Sequence, residues 1–148
     1  MIFVVLYNLL NTVQIIAFTH RQFNFDEIGL FHLDDKQRID VLTNLKTNLD
    51  IDELMYLSTC NRVEFIISHE KKITKNFVEE LIKHLLADQL LTNLKDIVDR
   101  AEIINNKAAV HHIFSVASSI DSLVVGEREI ITQVRKAFEE CRENNLCG

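Results

Sequence analysis

Apolar positions along the chain fall either into short runs of strand formers or into stretches with a helical period of about 3.6, and the switches between them lay out the elements. Val13, Gln14, Ile15, Ile16, Ala17 and Phe18 form a short run of strand formers that ends in the polar cluster Thr19, His20, Arg21 and Gln22. Ile39, Leu42 and Leu45 then share one helical face, with Val41 beside them and Leu49 near the end, and Asp34-Asp35 offers a start. Residues 54–57 and 63–67 read as two strands of a hairpin joined by the polar connection Ser58, Thr59, Cys60, Asn61 and Arg62.

Thr74 opens a second helix in which Phe77/Val78, Leu81/Ile82 and Leu85/Leu86 recur four apart, the spacing of a buried stripe. A short strand at 101–104 follows, then Asn105-Asn106 as a cap and a helix carrying His112, Ile113, Val116 and Ala117. A last helix from about Glu127 puts Ile130, Ile131, Val134, Ala137, Phe138 and Cys141 on one side. The order β-α-β-β-α-β with additional C-terminal helices predicts an α+β fold, the ferredoxin-like split βαβ sandwich.

Composition narrows this. At 148 residues the chain can bury a core of its own as one domain, and it has no run of about eighteen apolar residues that would cross a membrane. Average usage would give about seven prolines. The chain has none and only three glycines, which favours long regular elements. A net charge of −6 means that any nucleic-acid contact must be local. Three cysteines without a CxxC pair support neither a disulfide framework nor a zinc site, so a reducing, cytoplasmic setting is expected, with no metal and with Cys147 a free thiol.

Cys60 stands out because its neighbours are Thr59, Asn61 and Arg62, whereas inert cysteines usually lie among apolar residues. A free thiol is only a few per cent thiolate near pH 7, so a nucleophilic role calls for a nearby cation or base. Arg62 is the local cation. The plain alternative is a turn cysteine beside a surface arginine. His112 is a second candidate, and because His111 and His112 lie about 100° apart around a helix, only one of them faces a given site. The acidic Gly126-Glu127-Arg128-Glu129 segment suits a helix start, and Gln133 is by default solvated.

Together these pieces carry a resemblance. Leu57-Ser58-Thr59-Cys60-Asn61-Arg62-Val63-Glu64 resembles the cysteine signature of glutamyl-tRNA reductases. The stretch from His112 through Ser118-Ser119-Ile120-Asp121-Ser122 to Gly126-Glu127 resembles their second signature, in the same order. The likeness runs from about Ile15 to Phe138 and corresponds to the family's N-terminal catalytic domain.

The resemblance implies that Cys60 attacks the ester of glutamyl-tRNA and that NADPH reduces the resulting thioester to glutamate-1-semialdehyde, the entry to tetrapyrrole and haem synthesis. It implies that Thr59, Asn61, Arg62 and Ser122 hold the glutamyl group, with Arg62 suited to its α-carboxylate. Glu127, Arg128, Glu129 and Gln133 fall at further substrate-contact positions, and His112 matches a histidine important for activity, polarising the ester or assisting thiolate formation. It also implies a full-length homodimer and a glutamate-1-semialdehyde aminotransferase partner. Where the family has Gly-Glu-Pro-Gln, this chain reads Gly126-Glu127-Arg128-Glu129; Ser119 replaces a glycine, Ser115 an arginine, and the early Asn-His-Lys-Thr-like segment is Thr19-His20-Arg21-Gln22.

Gly29, Gly126 and Gly148 are too scattered for the glycine-rich turn that holds a dinucleotide. The chain is therefore expected to be the catalytic domain of a longer enzyme, with the NADPH-binding and dimerisation domains elsewhere. Two alternatives share its features: a thiol hydrolase of small esters using Cys60 and His112 without tRNA, and a non-enzymatic ferredoxin-like binding module in which Cys60 is only a turn residue.

Overall fold

The structure, a computed structural model, describes residues 10–86, 92–118 and 128–148, with backbone only at 128 and 129. Four strands, β1 (Val13–Thr19), β2 (Glu53–Thr59), β3 (Arg62–Ser68) and β4 (Glu102–Asn105), form one sheet in the order β2-β3-β1-β4, every pair antiparallel. Each split βαβ unit leaves a slot that an antiparallel strand fills: β3 lies between β1 and β2, and β1 lies between β3 and β4. This is the ferredoxin-like sandwich expected from the element order.

Strand alternation divides the core. Ile16, Phe18, Leu54, Tyr56, Val63, Phe65 and Ile67 face α2 (Arg38–Asn48), α3 (Lys75–Leu85) and α4 (Leu94–Arg100), meeting Leu42, Leu45, Val78, Leu81, Ile82 and Ile97. The opposite face presents Ile15, Ala17, Leu57 and Ile66 to α5 (Asn106–Ala117) and α6 (Arg128–Glu143), through Ala109, Ile113, Val116, Ile130 and Ala137. Phe18 stacks on Phe31 at 3.9 Å between centroids and meets Phe65 edge-on, and burying each such ring is worth roughly 1.5–3 kcal/mol.

Several expectations need correction. The helix expected from Asp34-Asp35 begins at Arg38, because the Asp34 carbonyl first closes a turn by accepting from the Gln37 and Arg38 amides. Two short helices, α1 (Phe25–Gly29) and α4, were not anticipated. Asn24 and Glu27 cap α1 reciprocally, and Arg100 of α4 forks onto Glu27 while lying over the Phe23 ring. The apolar stripe of the last helix divides: Ile130, Ala137 and Cys141 are buried, whereas Ile131 and Phe138 are exposed.

Cys147 is not free, since a disulfide joins it to Cys141. The cause lies in how α6 ends. Asn145 takes the left-handed conformation (φ 57°), the Leu146 amide donates to the Cys141 carbonyl and the Asn145 amide to that of Arg142, which is a Schellman reversal. The chain doubles back, Leu146 is buried, and its carbonyl accepts from the Leu54 amide on the edge of β2. Among the described residues no helix is long and apolar enough to cross a membrane.

Candidate functional site

The β2–β3 hairpin is tighter than the polar run from Ser58 to Arg62 suggested. The ladder persists to the pair Thr59↔Arg62, so only Cys60 and Asn61 form the connection. Thr59 and Arg62 are therefore sheet residues, and alternation puts them on the α5/α6 face together with Leu57 and Glu64. Thr19 is the cross-strand partner of Arg62 on its other side.

Cys60 is exposed at the tip, while the residues around its base are buried. The Thr59 hydroxyl donates to Asn61 Oδ1 (3.0 Å), and the Asn61 carbonyl accepts from the His20 amide (3.0 Å), tying the tip to the end of β1. Arg62 is 0% exposed, which overturns the surface-arginine alternative, and its Nη1 donates to Glu64 Oε1 at 2.8 Å. His112, from α5, reaches the same oxygen through Nε2 at 2.9 Å. Its neighbour His111 is exposed. Arg62, Glu64 and His112 thus converge under the cysteine turn, with Glu64 shared between the other two.

Glu64 is the residue that the reading of the sequence passed over. Its signal was present: Arg62 and Glu64 are two apart within an apolar strand, so their side chains share a face that also carries Ile66. His20 also belongs here. Its Nδ1 is buried without a hydrogen-bond partner, and burial, followed by the nearby Arg62 charge, holds its pKa below the ordinary histidine value.

Gln133 sits apart from this cluster. It lines a cavity of about 300 Å³ beside β2, together with Arg38, Tyr56, Ser58, Lys136 and Glu140. Ser58 precedes Thr59, so the cavity opens next to the hairpin end. Ser122 and Glu127 lie outside the described residues; Arg128 and Glu129 begin α6, their side chains likewise outside. Among the described residues the sheet is all-antiparallel, without the parallel-strand crevice that takes a dinucleotide, and the sequence has no glycine-rich turn, so the described residues do not fit NADPH.

Residues 16–148 match the family model described as glutamyl-tRNAGlu reductase, N-terminal domain. The chain belongs to that family. Glutamyl-tRNA reductase from a Nitratiruptor species is 38% identical over 137 residues, covering 90% of this chain and 31% of the relative. The Campylobacter concisus glutamyl-tRNA reductase is 40% identical over 118 residues, covering 77% and 26%. The chain therefore spans about a third or less of the length of these glutamyl-tRNA reductases. The solved structure of glutamyl-tRNA reductase from Methanopyrus kandleri superposes with a TM-score of 0.70 at 23% identity, over 93% of this chain and 30% of that one, which establishes the shared fold.

Proposed function

We propose that this chain carries out the acyl-transfer half of glutamyl-tRNA reduction. The observation that carries the reading is the exposed Cys60, held on a two-residue turn that leads into the buried Arg62, which joins Glu64 and His112 in one hydrogen-bonded cluster, in a chain of this family. The Cys60 thiolate attacks the ester carbonyl of glutamyl-tRNA, the carbon–oxygen bond to the ribose breaks, and a glutamyl thioester remains on the enzyme. Thr59, Asn61 and Arg62 surround the base of the turn and orient the glutamyl group. Ser122, Glu127, Arg128, Glu129 and Gln133 contribute further substrate contacts.

The thioester is then reduced to glutamate-1-semialdehyde for tetrapyrrole synthesis in the cytoplasm. The hydride of NADPH comes from outside these 148 residues, in a longer homodimeric enzyme that passes its aldehyde to an aminotransferase. Incubation with radiolabelled glutamyl-tRNA tests the reading. A label on Cys60 that is stable to acid, released by hydroxylamine and absent from C60S is expected. Intact protein that takes no label, or that cleaves free glutamyl esters equally well without tRNA, would overturn it.

A further inference from the structure

Cys141 and Cys147 lie at the end of α6, and the reversal there draws them together through backbone bonds of its own. The Leu146 and Cys147 amides both donate to the Cys141 carbonyl, at 2.9 and 3.3 Å. The two cysteine Cα atoms are 5.4 Å apart, inside the span that a disulfide bridges.

Both redox states have a place in this fold. Joined, the two sulfurs tie the reversal back onto α6. Parted, Cys141 is a buried thiol whose hydrogen calls for an acceptor, and the Leu54 carbonyl lies 3.2 Å from its sulfur. Access differs between the two cysteines: Cys141 is buried and Cys147 half-buried, so an incoming thiolate reaches Cys147 first. A disulfide in the reducing, cytoplasmic setting expected from the cysteine count is usually transient or redox-sensing rather than a permanent brace.

What the bond holds is the edge of the sheet. β2 is paired with β3 on one side only, and on the other its Leu54 amide donates to the Leu146 carbonyl at 2.9 Å, with the Leu146 side chain buried. Apart from these contacts the reversal is tied down by exposed bonds: the Gly148 amide to Glu53 Oε1 (3.0 Å) and Lys46 Nζ to the Asn145 carbonyl (3.2 Å). Glu140, the residue before Cys141, meets Arg38 of α2, so the last turn of α6 is fixed to other elements on both sides of the disulfide.

We propose that Cys141 and Cys147 form a redox switch, which locks the segment after α6 onto the edge of β2 when oxidised and releases it when reduced. The reductant is a small cellular thiol of the glutathione class. Its thiolate attacks Cys147 Sγ, the Cys141–Cys147 bond breaks and Cys141 takes up a proton; a second small thiol then displaces the first, leaving two protein thiols and one small disulfide. Closure is the reverse, with the small disulfide accepting two electrons and two protons from the protein thiols. Cys60 takes no part, so the switch stands apart from the acyl-transfer reading.

Titration of C60S, which keeps Cys141 and Cys147 as its only cysteines, between reduced and oxidised glutathione tests the proposal. Alkylation after denaturation, read by intact mass, should count two thiols in excess reduced glutathione, and no thiols and no added glutathione in excess oxidised glutathione. Two thiols in both buffers, an internal bond that survives both, or a chain carrying glutathione in place of that bond would overturn it. Hydrogen exchange reads the lock itself: the Leu54 and Leu146 amides should exchange roughly tenfold or more faster in the reduced chain. C147S should exchange like the reduced chain in either buffer. Equal exchange in the closed and open forms would sink the proposal even where the bond opens and closes.

Discussion

Arg38 and Glu140 are 102 residues apart in sequence and meet through three hydrogen bonds, Nε to both carboxylate oxygens at 3.1 Å and Nη2 to Oε1 at 2.8 Å. Arg38 opens α2 on one face of the sheet and Glu140 lies near the end of α6 on the other, so the pair wraps around the edge strand β2. Each side chain is about a quarter exposed, and the Glu140 carboxylate raises the Arg38 pKa. Both also line the cavity that holds Gln133.

Breaking that clamp should cost stability. R38A is expected to lower the free energy of unfolding by about 1–2 kcal/mol, the range for charged hydrogen bonds in a partly wet setting. Urea denaturation measures it, and an unchanged midpoint would mean that the pair contributes nothing. E140A should cause a similar loss, and the double variant less than the sum.

The buried pair predicts a different pattern. R62A leaves Glu64 buried with half of its partners and should cost roughly 3 kcal/mol, whereas R62M/E64L, which removes both charges, should recover a large part of that loss. Guanidinium titration of the single and double variants checks this. Equal destabilisation in both would show that shape, rather than unpaired charge, sets the penalty. Cys60 is exposed, so C60S should leave the midpoint within about 0.5 kcal/mol while abolishing thioester formation.

Two histidines predict the acid limb of stability. Partial desolvation depresses the pKa of the largely exposed His32, which contacts Ser58, and burial followed by Arg62 depresses that of His20. The unfolded chain then takes up protons near pH 6.5 that the folded chain still refuses, so stability is full above that value and falls as pH drops through it. The Glu27 and Asp99 carboxylates, with pKa values lowered from 4.5 and 3.8, act only at lower pH. Unfolding midpoints should fall between about pH 7.5 and 5.5, and H20Q/H32Q should flatten that fall; an unchanged slope in the double variant would refute the assignment.

Asn145 provides a backbone test. At φ 57° it occupies the left-handed position of the reversal after α6. N145A should destabilise by about 1 kcal/mol and N145G should be neutral or stabilising. Thermal unfolding compares them, and equal effects of Ala and Gly would rule out the conformational explanation.

Local chemistry made much of this protein legible from its residues alone. The four-apart pairs from Phe77 to Leu86 specify α3 and its buried face, Thr74 caps it as expected, and short apolar runs rich in strand formers specify β1, β2 and β3. The element order then leaves little choice of sheet topology, and the peptide around Cys60 points to the family. The tertiary structure decided what depends on residues far apart in sequence. How far the β2–β3 ladder zips, and hence that Arg62 is buried, follows from pairing across three strands and from the cover of α5. Short helices such as α1 and α4 carry too little periodicity to be read; they are held by the Asn24–Glu27 cap, by the burial of Ile28, Ile97 and Val98, and by Arg100 on Glu27. Glu64 meeting His112 across 48 residues, Arg38 meeting Glu140 across 102, and Cys147 turning back onto Cys141 are outcomes of packing. A one-dimensional pattern encodes which face a side chain takes, and only the closed sheet and its helices determine what it meets there.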